Sequence, residues 1–186
     1  VILGVLGFTI PFSSHNQSPR NLLSIGQTKQ AIGIYTSNYQ NRMDQTGSIL
    51  HYPQKSICHS RLMNYLGPLS NCYGQNSIVA IASYTGYNQE DSIIMNKSSL
   101  EKGLFTHTTY KTFVAEVLTS NDRNNEIFTN PINYESIVKK GLTYSKLNKY
   151  GIVNEGETIN GDDVIIGKVI VSKDDKGNDV FIDKSI

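Results

Sequence analysis

Tryptophan is absent from this 186-residue chain, cysteine occurs twice and proline five times, and long apolar runs are missing. The apolar opening from Val1 to Ile10 stops at Pro11, well short of the roughly 20 residues a membrane helix needs, so no membrane span is expected. No basic stretch precedes that run, which argues against a secretory leader. A start at Val1 without an initiator Met reads as an internal segment of a longer chain. Cys58 and Cys72 form no Cys-x-x-Cys pattern, so neither a structural zinc nor a disulfide framework is indicated, and two reduced thiols are expected. The length fits one large domain or two small ones and is enough to bury a core.

Acid is the other scarcity. Between Val1 and Gln89 the only carboxylate is Asp44, against five basic residues, Arg20, Lys29, Arg42, Lys55 and Arg61. Glu90 and Asp91 then arrive as a pair, and from Ser92 onward the two signs nearly balance. An acid-poor, amide-rich and hydroxyl-rich surface suits a polyanion, because Lys and Arg neutralise phosphates while amides bond to sugar and phosphate oxygens. An ordinary polar surface that happens to lack acids fits the composition equally. Lys outnumbers Arg thirteen to four, a bias like that of an AT-rich genome. An arginine retained against such a bias is one whose planar fork matters, which directs attention to Arg20.

Local patterns give a mixed but β-rich reading, α+β in class. Ser18-Pro19-Arg20 looks like a helix start with Ser18 as cap, and apolar residues recur through Ile34, with Gly26 and Gly33 predicting a break. Ser77 to Tyr84 is short, apolar and β-branched, which predicts a strand buried on both faces, followed by a polar loop from Thr85 to Asp91. Ser98 to Glu101 resembles a capping box closed by Gly103. Thr106 to Val117 alternates, Thr119 to Pro131 reads as loop, and Asp163–Ser172 with Val180–Ile182 predicts a hairpin. Asp174 to Asp179 has its glycine at the fourth position rather than the sixth, so it is read as a turn and not a calcium loop.

Adjacent carboxylates beyond a strand, such as Glu90-Asp91, are a plausible Mg²⁺ feature, since Mg²⁺ takes one or two protein carboxylates plus substrate phosphates. Such pairs are also common on solvated surfaces. What sets this one apart is its company. His15-Asn16-Gln17-Ser18-Pro19-Arg20-Asn21, Lys29-Gln30-Ala31, Tyr52-Pro53-Gln54-Lys55, Gly74-Gln75-Asn76 and Gly86-Tyr87-Asn88-Gln89-Glu90-Asp91-Ser92 occur in order. Taken together they resemble the family of second-largest subunits of multisubunit DNA-dependent RNA polymerases, of the eukaryotic, archaeal and large-DNA-virus type. The resemblance is close over about residues 1–105 and returns at Gly161 to Lys168.

The resemblance implies residues 1–105 as a hybrid-binding region, the first part of a double-psi β-barrel, and 106–186 as a mostly β wall or flap. It implies template-directed RNA synthesis, active only with the largest subunit, which supplies the aspartates of the tightly held metal. Asp91 would help hold the second, nucleotide-borne Mg²⁺, with Glu90 beside it tuning charge. Arg20 would contact the triphosphate, aided by the helix N-terminus, and Lys29 and Gln30 would lie near the RNA end of the hybrid. The partners implied are the largest and other polymerase subunits, DNA template, RNA–DNA hybrid and nucleoside triphosphates. The setting implied is intracellular, nuclear if eukaryotic, virion or host cell if viral. The family's later basic motifs and zinc-binding clamp segment are absent from this sequence.

Two other readings stay open. A non-catalytic scaffold within the polymerase would use the same residues without touching metal or nucleotide. An independent metal-dependent phosphotransferase or nuclease would need more ligands than residues 1–89 offer, namely Asp44 and the histidines at 15, 51 and 59. Lys29, Gln30, Lys55 and Gln75 also fit a solvated surface. His15, His51, His59 and His107 are expected to order loops by hydrogen bonding rather than to move protons.

Overall fold

The structure, a computed structural model, describes residues 3–67, 70–118, 124–134, 138–174 and 176–186. The chain divides into two compact units, Val1–Phe113 and Val114–Ile186. Both mix irregular backbone with antiparallel strand pairs, and the α-helices among the described residues lie in the first. The sequence-based division near residue 105 was one of family role; strand β2, just beyond it, pairs inside the first unit.

In the first unit a short helix α1 (Gly4–Phe8) precedes α2 (Ser18–Thr28). The residue capping α2 is Gln17, in extended backbone, not Ser18, which lies inside the helix with Pro19 next to it. Gly26 does not break α2, because a glycine inside a helix costs only about 1 kcal/mol relative to Ala. The helix instead ends at Thr28, whose hydroxyl bonds back to Ser24 O at 2.7 Å. Gly33 serves another purpose: Leu50 N–H donates to Gly33 O at 3.2 Å and Ile34 N–H to Cys72 O at 2.9 Å, and a Cβ on Gly33 would collide with the Tyr73 Cα. Three chain segments meet there with no room for a side chain.

Strand β1 (Thr46–Leu50) pairs antiparallel with β2 (His107–Lys111), Thr46 opposite Lys111 and Leu50 opposite His107. Ile49, Leu50, Met63 and Cys72 form the small buried set of this unit, Met63 opening the one-turn helix α3 (Met63–Leu66). The strand expected at Ser77–Tyr84 is not formed. That segment pairs with no strand among the described residues, and Ile78, Val79 and Ile81 are exposed. β-branched composition favours a strand only where a neighbouring ladder exists, and none is present here. Helix α4 (Lys97–Glu101) is capped by Asn96, whose side chain accepts from Ser99 N–H at 3.1 Å, so Ser98 is not the cap. Glu101 pairs with Lys97 one turn back rather than closing a capping box, and Gly103 ends the turn at φ +107°.

The second unit is built on β4 (Lys168–Lys173), flanked by β3 (Asn124–Phe128) and β5 (Asp179–Asp183), all antiparallel. The β4–β5 hairpin is the one expected, starting later than Asp163. β3 corrects the loop expected from Thr119 to Pro131, of which 119–123 lie outside the described residues. Its polarity misled because Glu126 is a buried charge on a strand: Lys168 Nζ sits 2.5 Å from its carboxylate, with the two side chains 11% and 6% exposed. Leu118 N–H donates to the same carboxylate at 2.8 Å, and Lys168 Nζ to Glu116 O at 2.6 Å, which ties 116–118 to the sheet. A core of Tyr144, Leu147 and Val164 lies in this unit. The Tyr144 hydroxyl donates to Asp183, and burial first, then that carboxylate, pushes the phenol up to about 12. Neither cysteine is in a disulfide, and among the described residues no helix is long and apolar enough to cross a membrane.

Hydrogen bonding to Lys168, then to Leu118 N–H, holds the Glu126 carboxyl below the usual carboxylate range. A group with a lowered folded pKa contributes stability above its unfolded pKa, about 4.3 for Glu, and loses it as pH falls through the folded value. Melting followed from pH 7 to pH 3 is therefore expected to fall steeply below about pH 4.3. Glu126→Gln is expected to melt lower at pH 7, with Lys168 left unpaired, and to show a shallower acid slope; an unchanged slope refutes the linkage.

Gly26 and Gly33 make opposite predictions. Nothing lies within 4 Å of a Cβ added at Gly26, so Gly26→Ala is expected to stabilise the chain by about 0.5–1 kcal/mol. Gly33→Ala is expected to destabilise it by about 1–3 kcal/mol, since the clash is with backbone. Chemical unfolding of the two variants beside wild type measures both.

Candidate functional site

The polar motifs of the first unit converge on a clasp of side-chain amides. Gln75 Nε2 donates to Tyr52 O at 2.8 Å while its Oε1 accepts Phe105 N–H at 2.9 Å. Gln54 Oε1 accepts Asn76 N–H at 2.8 Å; Asn76 in turn donates to Lys55 O at 2.7 Å and accepts Ile57 N–H at 3.1 Å. Tyr52-Pro53-Gln54-Lys55 and Gly74-Gln75-Asn76 are thus held to each other and to the turn after α4. Gln75, which by sequence also fitted a solvated surface, has its amide engaged within the fold.

From this clasp the chain runs out through the exposed 77–84 segment to the turn bearing Glu90 and Asp91. Thr85 (φ 57°), Gly86 (φ 77°), Glu90 (φ 52°) and Asp91 (φ 118°) are left-handed or beyond. For non-glycine residues such geometry costs on the order of 1–3 kcal/mol each and concentrates at functional sites. Both carboxylates are exposed, and neither makes a hydrogen bond or ion pair among the described residues. No group of three or more His, Cys, Asp or Glu converges among the described residues. The pair can therefore offer one or two hard oxygen ligands to Mg²⁺, leaving the others to phosphates, water or another chain.

Arg20 lies in the first turn of α2, exposed and, among the described residues, without a side-chain partner. The backbone donors around it are largely used: Pro19 has none, and Arg20 and Asn21 N–H both turn back to Gln17 O. An anion there would meet the guanidinium more than the helix end. Lys29 caps the far end of α2, followed by Gln30, both exposed. Nine residue steps separate Arg20 from Lys29, roughly 14 Å along the axis, so the two address different parts of any ligand.

Electrostatics sharpen this. Asp44, the lone acid before Glu90, is consumed by Arg42 at 2.9 Å and by the Tyr35 hydroxyl at 3.0 Å, which hold its carboxyl below the usual range, the arginine first. Among the described residues, Arg20, Lys29, Lys55 and Arg61 are left without ion pairs.

His15 departs from expectation. It stacks edge-on against Phe12, with centroids 6.0 Å apart, and the hydrogen bonding that orders its loop comes from Asn21, which donates to Ser13 O at 2.9 Å and accepts from Asn16. His51, His59 and His107 do make the loop-ordering contacts, with Thr108, Ser56 and Phe105. Sequence reasoning missed Asn21, Gln54 and Asn76 as structural residues. Their amides sit inside recognised motifs, but nothing local says whether an amide faces a ligand or the chain itself.

The chain matches the family described as RNA polymerase Rpb2, domain 6, over residues 6–185. It is similar to DNA-directed RNA polymerase II subunit RPB2 of Encephalitozoon cuniculi, 46% identical over 91% of this chain and 15% of that protein. The corresponding subunit of Schizosaccharomyces pombe is 45% identical over 90% of this chain and 14% of its own length. DNA-directed RNA polymerase subunit Rpo2 of Sulfolobus acidocaldarius is 42% identical over 90% of this chain and 15% of its length. The chain thus spans about 15% of the length of these relatives. A match covering nearly every residue, with Arg20, Lys29, Glu90 and Asp91 inside it, leaves one conclusion: this chain belongs to the RNA polymerase Rpb2, domain 6 family.

Proposed function

We propose that this chain supplies the second-largest subunit's share of a nucleotide-addition site in a DNA-directed RNA polymerase. The observation that carries the reading is the pair of unpartnered carboxylates, Glu90 and Asp91, on a strained exposed turn in a unit otherwise stripped of free acid. Template-directed RNA synthesis then needs a second subunit, the largest, to bring the remaining metal ligands. Asp91 takes a share of the nucleotide-borne Mg²⁺ and Glu90 adds to the local field; bound there, the metal screens the triphosphate and steadies the leaving pyrophosphate. Arg20 grips a phosphate of the incoming nucleotide by its planar fork. Lys29 and Gln30 lie toward the backbone of the RNA–DNA hybrid.

The exposed apolar side chains of 77–84 fit an unfinished barrel, a double-psi barrel by family resemblance, whose missing strands come from elsewhere in the assembly. Other polymerase subunits, DNA template and hybrid are the partners of this reading, and the nucleus is its setting in a eukaryotic cell. The scaffold reading keeps the barrel and drops the contacts to metal and nucleotide.

Single-nucleotide addition on a preformed hybrid, with the variants in the assembled polymerase, separates these readings. Asp91→Asn keeps size and removes charge, so its loss of rate is expected to be partly rescued by extra Mg²⁺, and Glu90→Gln is expected to be milder. Arg20→Ala is expected to lose about ten- to a hundred-fold in kcat/KM at every Mg²⁺ level, the worth of a charged hydrogen bond of about 1.5–3 kcal/mol. Wild-type rates for both Asp91→Asn and Arg20→Ala leave only the scaffold.

For Lys29 the variable is salt. If Lys29 neutralises one phosphate, Lys29→Ala is expected to lower the slope of log affinity of the elongation complex against log salt by about 0.7–0.9. An unchanged slope assigns Lys29 to solvated surface.

A further inference from the structure

The turn bearing Glu90 and Asp91 is shaped by a side chain outside the acid pair. Asn88 Nδ2 donates to Ala82 O at 2.6 Å, and Asn88 Oδ1 accepts Tyr84 N–H at 3.1 Å. The two backbone groups flank Ser83 on the outgoing leg of the loop. One primary amide thus does for this leg what a residue of a neighbouring parallel strand does, accepting from one residue and donating to the carbonyl two positions earlier. This matters here because the 77–84 leg has no ladder partner among the described residues. Ala82, Tyr84 and the acid pair are exposed, so little burial restrains the loop.

Immediately after Asn88 the backbone enters the strained stretch, with Glu90 at φ 52° and ψ 18° and Asp91 at φ 118°. A strained turn persists only when its surroundings over-determine it. The two bonds of Asn88 tie the residue from which that turn departs to the outgoing leg. Its amide meets both demands with separate atoms; Asp lacks the donor for Ala82 O, and Ala lacks both atoms.

We infer that Asn88 is a positioning residue for Asp91. It touches neither metal nor nucleotide; it fixes the backbone from which the Asp91 carboxylate reaches the shared Mg²⁺. This rests on the nucleotide-site reading above, and the experiment distinguishes a failure of one from a failure of the other.

The test uses the assembled polymerase carrying the full-length subunit, with single-nucleotide addition measured across Mg²⁺ and nucleotide concentrations. Asn88→Ala is expected to raise the Mg²⁺ concentration for half-maximal rate by about three- to tenfold, the equivalent of losing one or two ordinary hydrogen bonds. The nucleotide KM at saturating Mg²⁺ is expected to stay at the wild-type value. Asn88→Asp, which keeps the acceptor for Tyr84 and sets a carboxylate against Ala82 O, is expected to shift the Mg²⁺ requirement at least as far, and it carries the test if Asn88→Ala does not assemble. In an Asp91→Asn background, Asn88→Ala is expected to add no further Mg²⁺ dependence, because it acts through the missing carboxylate.

A wild-type Mg²⁺ requirement for both Asn88 variants, beside a shifted one for Asp91→Asn, overturns the positioning role and leaves the site reading intact. Additive shifts in the double variant overturn it too. An Asp91→Asn enzyme with a wild-type Mg²⁺ requirement overturns the site reading, and the role of Asn88 with it.

Discussion

Where residues 52–57, 74–76 and 105 meet, side-chain amides take the place of a β-ladder. Gln54, Gln75 and Asn76 satisfy backbone donors and acceptors that no strand of the first unit reaches. An unpaired backbone group is costly wherever water is kept away from it, so the alternatives were a regular sheet or polar side chains able to imitate one. This unit uses both, with β1 and β2 paired regularly and the clasp set just beyond them. The exposed excursion that ends at Glu90 and Asp91 leaves the fold at Asn76. Its root is therefore rigid even though its length is scarcely packed.

The same economy governs charge. One carboxylate in the first unit's long leading stretch is tied up by an arginine and a tyrosine, so the remaining cations carry their full field into solvent. In the second unit the opposite choice is made, and Glu126 and Lys168 are buried together on adjacent strands, at a desolvation cost that their mutual bonding and two backbone partners offset. The first arrangement suits a surface that must attract phosphate. The second suits an interior that must stay in register.

Much of this was legible in the sequence, and the failures share a cause. The start of α2, the β4–β5 hairpin and the ordered motifs could be read because local residue types carry them: a proline beside a helix start, a turn rich in Asp and Gly, a series of short words in order along one chain. Ser77–Tyr84 misled because apolar, β-branched composition reports a preference for pairing, whereas a strand forms only beside a neighbour, and none lies beside this segment among the described residues. β3 was hidden for the reverse reason, since Glu126 makes a strand look like a loop until Lys168, forty-two residues away, is seen to neutralise it. The caps were misplaced by one or two residues because Gln17 and Asn96 compete with nearby serines of equal promise. Amides gave the least information: Gln30 and Gln75 look alike in a sequence, yet one is exposed beyond a helix end and the other has both ends of its amide engaged.

The bare apolar leg at Ile78, Val79 and Ile81 also has a consequence for the cell. Unpaired strand edges with exposed aliphatic side chains are what aggregates during synthesis and what chaperones hold. A leg this bare favours association with whatever apolar surface it meets.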